Sequence, residues 1–266
     1  MGDDRGVPPR RSAQAAAEAA RLATLRGAQR VSVVVPARNE ERTVGAVVGC
    51  VRRELTADGG GVALVDEVVV VDDGSTDATA RRAAEAGATV VPTGAVDGGK
   101  GLAMAAGAAH SSGDLLVFLD ADVENVGAHF VTRLLAPLLE SPEIALVKAF
   151  YERPLDGRPT GGGRVTELVA RPTIELLFPE LAHIRQPLAG ETALRRSVLE
   201  TCTLEPGYGV ELGLLVDVAE RYGVAAIAQV DLGTRVHRNR PLEALRHQAT
   251  DVLRAALARA GAHLHR

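Results

Sequence analysis

Tryptophan is absent from the 266 residues, which hold only three tyrosines and four phenylalanines. A protein that lays a long glycan over aromatic faces needs more rings than this, so any sugar acceptor is expected to be small. Lysine is almost missing. Of 30 basic residues only Lys100 and Lys148 are lysine, the rest being arginine. The two cysteines, Cys50 and Cys202, form no CxxC or Cys/His spacing, which argues against a zinc site or disulfide framework and fits a reducing compartment. There is no basic excess either. A formal charge of −4 argues against a general nucleic-acid partner, so an anionic ligand must be held by a local basic site. No uncharged apolar run approaches ~18 residues, which excludes a transmembrane helix. Arg10 and Arg11 lead into an alanine-rich stretch broken by Glu18 and Arg21, not into the apolar core of a signal peptide. The expected setting is the cytoplasm, with no membrane partner.

What is present reads as an ordinary globular chain, 46% hydrophobic and 24% charged. Residues 1–29 are expected to form a disordered or weakly helical arm, 30–150 an α/β region, and 151–266 a less regular region that ends in a helix. Val31 to Val35 is a β-branched run closed by Pro36, as for a strand buried on both faces. Helix follows over 40–55, strand over 68–71, helix over 76–86 with Ser75 as its N-cap, and a short strand over 88–91. Helix 101–110, strand 115–119, helix 127–140 and strand 144–149 continue the alternation. Helices are expected again over 165–178, 210–222 and 241–260, with a strand over 225–230. Strands separated by helices need crossovers, so the fold class is α/β, a doubly wound and mostly parallel sheet flanked by helices.

Ligands of such sheets bind beyond the carboxyl ends of the strands, and here those exits are polar. Asp120-Ala121-Asp122 directly follows an apolar strand. Residues two apart at a strand end project to one side, so the two carboxylates can frame one hard divalent cation such as Mg²⁺ or Mn²⁺. Such an ion compensates charge on a leaving diphosphate. Asp72 and Asp73 close the second strand beside the expected nucleotide cleft and suit a base or ribose, while Ser75 and Asp77 also suit helix capping. The first strand lacks a GxGxxG, so the dinucleotide fingerprint is absent. Lys100 lies in Gly98-Gly99-Lys100-Gly101, either an incidental surface lysine or a point charge for a phosphate. Gly161-Gly162-Gly163-Arg164-Val165-Thr166 precedes a helix and reads as a flexible linker or as an anion site in which Arg164 grips phosphate or carboxylate with two bonds. Glu211 opens a helix, where a carboxylate also suits the dipole. His237 is either incidental or a third metal ligand.

Pro36-Ala37-Arg38-Asn39-Glu40-Glu41, Asp72 to Asp77, Gly99-Lys100-Gly101 and Asp120-Ala121-Asp122, taken in this order, resemble the GT-A glycosyltransferases. Gly163 to Leu168, Gln186 to Glu191, Gly207 to Glu211 and Arg235 to Asn239 are similar to the glucosyl-3-phosphoglycerate synthase family of actinobacteria. The resemblance covers roughly 31–241. It implies a GT-A-type fold with a C-terminal acceptor-binding elaboration, and retaining transfer of glucose from UDP-glucose to D-3-phosphoglycerate with Mg²⁺ or Mn²⁺ in a homodimer. Pro36, Arg38, Glu40, Asp73, Ser75, Lys100 and Asp120 would then hold the donor nucleotide. Asp120, Asp122 and His237 would hold the metal, and Gly163, Arg164, Thr166 and Asn239 the acceptor. Asp122 and Glu211 would be the catalytic residues. The chain is shorter than this family pattern, with Arg38 where an apolar residue is the family's choice. Related readings are a mannosyl-3-phosphoglycerate synthase, a polyprenyl-phosphate glycosyltransferase, and a non-catalytic nucleotide-sugar sensor.

Overall fold

The structure, a computed structural model, describes residues 9–94, 98–155, 158–161, 163–236 and 242–263. Its elements run α1 (Pro9–Arg26), β1 (Val31–Ala37), α2 (Val44–Leu55), β2 (Glu67–Asp72), α3 (Thr79–Glu85), β3 (Thr89–Pro92), α4 (Lys100–Ala109), β4 (Leu115–Phe118) and α5 (Ala128–Glu140). Then follow β5 (Leu146–Glu152), β6 (Pro154–Leu155), β7 (Arg158–Gly161), α6 (Arg171–Leu177), β8 (Thr192–Arg195), α7 (Arg196–Leu199), α8 (Val210–Tyr222), β9 (Ile227–Thr234) and α9 (Leu242–His263). Seven strands form one sheet in the order β3-β2-β1-β4-β8-β5-β9, and β6 pairs with β7 apart from it. Only β8 runs against its neighbours in the large sheet, antiparallel to both β4 and β5.

Alternation within the valine runs explains why the sheet is covered on both faces. Val33, Val35, Val68, Val70, Val117 and Val147 point to one core with α1, α2 and α5. Val34, Val69, Val71, Leu116, Leu146 and Leu194 point to the other, with α4, α6, α8 and α9. Burying such strands on both sides is what allows apolar residues at consecutive positions. At Gly107 of α4 an added Cβ would lie 2.2 Å from Val34 Cγ1, so glycine sets how closely this helix meets the sheet.

Three local details differ from the sequence expectations. The second helix starts at Val44 rather than Glu40, because residues 40–43 form a turn in which the Val44 N–H already bonds the Glu40 carbonyl at 3.0 Å. Ser75 does not cap α3, since its Oγ accepts the Asn39 N–H at 3.0 Å while Asp77 Oδ1 accepts the Thr79 N–H at 2.9 Å. The helix expected over 165–178 opens with a π-helical turn, Thr166–Ala170, where the Arg171 N–H reaches the Thr166 carbonyl. Pro172 follows, and its missing N–H breaks the regular ladder at that point. Within the N-terminal segment, α1 buries Ala19 and Leu22, and Arg21 meets Glu140 of α5 at 2.6 Å. No helix among the described residues is long and apolar enough to cross a membrane.

Candidate active site

The exits of β1, β2, β4, β5 and β9 open into a cleft of about 690 Å³, closed on the far side by Gly163 to Thr166, the start of α8, and α9. Parallel pairing in register brings the first two exits together, with Pro36 opposite Val71 and Ala37 opposite Asp72. Asn39 then adopts the left-handed conformation at φ 57°, a turn that asparagine tolerates better than most residues. Its Oδ1 accepts the Thr76 N–H at 2.9 Å, which together with the Ser75 contact clamps the loops after β1 and β2. Pro36, Arg38, Glu40 and Asp73 line the cleft, whereas Ser75 is engaged behind it with Asn39. Asp73 is 8% exposed and its buried Oδ1 meets no hydrogen-bond donor among the described residues. Arg38 Nη1 stands 3.8 Å from the other oxygen. An unused buried acceptor beside an open cleft suits a donor carried by a ligand.

At the centre, Lys100 Nζ bonds Asp120 Oδ1 at 2.6 Å and Glu211 Oε1 at 2.7 Å, joining the start of α4 to the exit of β4 and the first turn of α8. Arg235, 3% exposed, bonds Asp120 Oδ2 at 2.8 Å and Asp122 Oδ1 at 2.7 Å through one nitrogen. Its Nε donates to Glu191 Oε1 at 2.7 Å, and Tyr151 OH donates to Glu191 Oε2 at 2.7 Å. Burial opposes charge on Asp120, but Lys100 and Arg235 outweigh it and hold its carboxyl well below the usual carboxylate range. The converse applies to Lys100, where burial is outweighed by Asp120 and Glu211 and the ammonium is held well above its ordinary value. Asp120 is therefore an anion throughout the physiological range.

Gly190 marks how tightly this centre is built. A Cβ there would lie 2.3 Å from both Asp120 Oδ1 and Lys100 Nζ. The preceding carbonyl, of Ala189, accepts from Lys148 Nζ at 2.5 Å, and Lys148 is 1% exposed. Burial pulls the Lys148 ammonium down to about 8.

On the acceptor side, Gly163 at φ 78° turns the chain so that Arg164, Val165 and Thr166 line the cleft. Arg153, at the exit of β5, faces the same space. His237 and Asn239 lie outside the described residues. The described residues contain no group of three or more His, Cys, Asp or Glu able to hold a metal ion. Asp120 and Asp122 nevertheless supply what a hard divalent cation needs, carboxylate oxygens converging on one positive charge at the cleft. Of the residues named from sequence, the cleft collects Pro36, Arg38, Glu40, Asp73, Lys100, Asp120, Asp122, Gly163, Arg164, Thr166 and Glu211. The sequence assigns no role to Tyr151, Arg153, Glu191 or Arg235, although Glu191 and Arg235 fall in segments that carry the family resemblance. Arginine is too common in this chain to stand out, and Glu191 and Tyr151 acquire meaning only through pairing between distant segments.

Comparison with known proteins matches residues 32–202 to the family model described as glycosyl transferase family 2. A glucosyl-3-phosphoglycerate synthase of Mycobacterium tuberculosis is 46% identical over 253 residues, spanning 90% of this chain and 76% of that protein. One from Petrotoga mobilis is 43% identical over 240 residues, 86% of this chain and 73% of the relative. The crystal structure of the M. tuberculosis protein in complex with Mn²⁺, UDP-glucose and phosphoglyceric acid superposes with a TM-score of 0.82 at 45% identity, covering 90% of this chain and 83% of that one. Another, in complex with Mg²⁺ and UDP, gives 0.82 at 44% identity over 91% and 83%.

Proposed function

Since the chain belongs to glycosyl transferase family 2, among the glucosyl-3-phosphoglycerate synthases, we propose that it transfers glucose from UDP-glucose to D-3-phosphoglycerate with retention at the anomeric carbon. The observation that carries the reading is the convergence of Lys100, Asp120, Asp122, Glu211 and Arg235 on one cleft that also holds Gly163, Arg164 and Thr166. A donor with a diphosphate leaving group and an anionic acceptor need these two charge environments side by side.

Asp120 and Asp122 would hold Mg²⁺ or Mn²⁺, with His237 as a third ligand, and the bound ion supplies Lewis-acid compensation for charge on the leaving diphosphate. The chain's own groups do the rest. Pro36, Arg38, Glu40 and Asp73 line the donor side and receive the uridine, Asp73 Oδ1 accepting from it, with Ser75 contributing by holding the Asn39 turn. Lys100 is a point charge for the diphosphate, its ammonium having three donors to share among Glu211, Asp120 and a phosphate oxygen. Glu211 lies beside the transferred sugar, its position fixed through Lys100. Arg164, Gly163, Thr166 and Asn239 take the acceptor. In the transfer, the acceptor hydroxyl oxygen replaces the diphosphate oxygen at the anomeric carbon, and the hydroxyl proton departs with UDP.

The same reading assigns the protein to the cytoplasm, supported by the free thiols of Cys50 and Cys202, and makes it a homodimer. The dimer is supported by leucines on the packed segments 166–177 and α9, where Leu168, Leu176 and Leu257 are 73%, 81% and 61% exposed. Light scattering on the purified chain reports this directly. Catalysis is tested with a panel of nucleotide-sugars and acceptors in Mg²⁺, following nucleotide release. UDP-glucose with 3-phosphoglycerate should be the productive pair, and equal use of neutral glycerol as acceptor would refute the assignment.

A further inference from the structure

Arg153 has the marks of a ligand-binding group in the wall of the cleft. The register between β5 and β9 slips between Phe150 and Glu152, a bulge of the kind that re-aims side chains at the end of a sheet. Just beyond it Arg153 is half-buried in the cleft wall. One end of its guanidinium is fixed, with Nη2 donating to Tyr151 OH at 2.8 Å and Cζ 4.9 Å from the Tyr151 ring centroid. Tyr151 is in turn held by Glu191, the fully buried carboxylate that also grips Arg235. The other edge is turned towards the acceptor loop, where a Cβ on Gly163 would lie 3.4 Å from Nη1. Arg153 Nε is buried and has no acceptor among the described residues. A fixed guanidinium with an unused buried donor, facing a cleft, is arranged for an anion.

We infer that Arg153 is a second anion-binding arginine of the acceptor pocket, taking the carboxylate of the acceptor while Gly163, Arg164 and Thr166 take its phosphate. The inference rests on the acceptor being 3-phosphoglycerate, a molecule with one anion at each end. A planar fork matches a planar carboxylate through two parallel bonds, whereas backbone N–H groups at the start of the 166–177 helical segment suit a tetrahedral phosphate. Glu191 then acts as a positioning residue for both ends of the reaction. It aims Arg235 at Asp120 and Asp122 through one oxygen, and Arg153 at the acceptor through Tyr151 and the other.

The test compares 3-phosphoglycerate with glycerol 3-phosphate, which keeps the phosphate and lacks the carboxylate. Arg153→Met should raise the KM for 3-phosphoglycerate at least tenfold, leave the KM for glycerol 3-phosphate within about twofold, and leave UDP affinity by calorimetry unchanged. Arg153→Lys, with the charge but not the fork, should fall between. Tyr151→Phe, which removes the hydroxyl that accepts from Arg153 and donates to Glu191, should move the same KM in the same direction, so the outcome does not depend on one variant folding well. Equal losses on both acceptors, or an unchanged KM for 3-phosphoglycerate in a folded Arg153→Met, would overturn this inference alone. A wild-type protein that does not turn over 3-phosphoglycerate would overturn the acceptor reading, and this inference with it.

Discussion

Arg235 places one nitrogen 2.8 Å from Asp120 Oδ2, so the segment leaving β9 supplies a buried cation to the acidic exit of β4. Glu191 holds that guanidinium from behind at 2.7 Å. The arrangement shows that the Asp120 and Asp122 carboxylates converge closely enough to share a single positive charge, which is the property a metal-dependent transferase needs of them.

Catalysis should therefore depend on a divalent ion at these carboxylates. Asp122→Asn removes a charged ligand without changing size, and is expected to lower kcat on the order of 100-fold while the fold is retained, the amide oxygen still accepting from Arg235. Wild-type rates in excess EDTA would refute the dependence.

Lys100 is the group placed to meet the donor diphosphate. Lys100→Ala should weaken UDP binding by about 1.5–3 kcal/mol, the range for a charge-assisted hydrogen bond. The substitution also leaves Glu211, 5% exposed, without its cation, so a lower thermal midpoint should accompany the loss. Calorimetry showing unchanged UDP affinity would return Lys100 to a purely structural role.

Gly190 should not tolerate even one methyl group. Its Cβ would stand 2.3 Å from Asp120 Oδ1 and from Lys100 Nζ, so Gly190→Ala must push apart the pair on which both metal and diphosphate binding depend. The expected outcome is a fall in kcat/KM larger than any fall in stability, because Lys100 and Asp120 are side chains at the cleft and can move where backbone cannot. Activity within twofold of wild type would show that the loop has room to shift.

Much of this centre is legible in the sequence. The valine runs of β1 and β2 and the Asp120-Ala121-Asp122 exit are local signals, since burial on both faces requires continuous apolar strands and a strand end projects alternate residues together. β8 was not legible. Thr192 to Arg195 is too short to show a period, and its place between β4 and β5 comes from pairing across more than 70 residues on one side and over 40 on the other. The same limit hid Arg235 and Glu191, whose partners Asp120 and Tyr151 lie far away in sequence. Serine before a helix caps it by default, which points Ser75 at the helix start, whereas here the turn at Asn39 claims its hydroxyl.

For the acceptor, Arg164→Lys should keep the charge but lose the bidentate geometry of a guanidinium. A raised KM for 3-phosphoglycerate with unchanged UDP affinity is expected. Acceptor kinetics that do not respond would remove Arg164 from the pocket.

The last expectation concerns Lys148, one of the two lysines in the chain, which lies 1% exposed with its ammonium on the Ala189 carbonyl. Burial lowers its pKa from 10.5 to about 8, so between those values the unfolded chain binds a proton that the folded one does not. The contribution to stability is thus fully present above 10.5, is lost as pH falls towards 8, and is constant below that. Lys148→Met has no such proton. Relative to the methionine variant, the wild type should gain about 2–3 kcal/mol of stability between pH 7 and pH 10, as measured by urea unfolding at both values. Near pH 7 the variant should unfold no earlier than the wild type, because removing a buried charge offsets the lost bond to Ala189. Activity should still fall, since Ala189 immediately precedes the glycine packed against Asp120 and Lys100. Parallel pH dependence in the two proteins would mean that Lys148 keeps an ordinary pKa in the fold, with its ammonium reaching water.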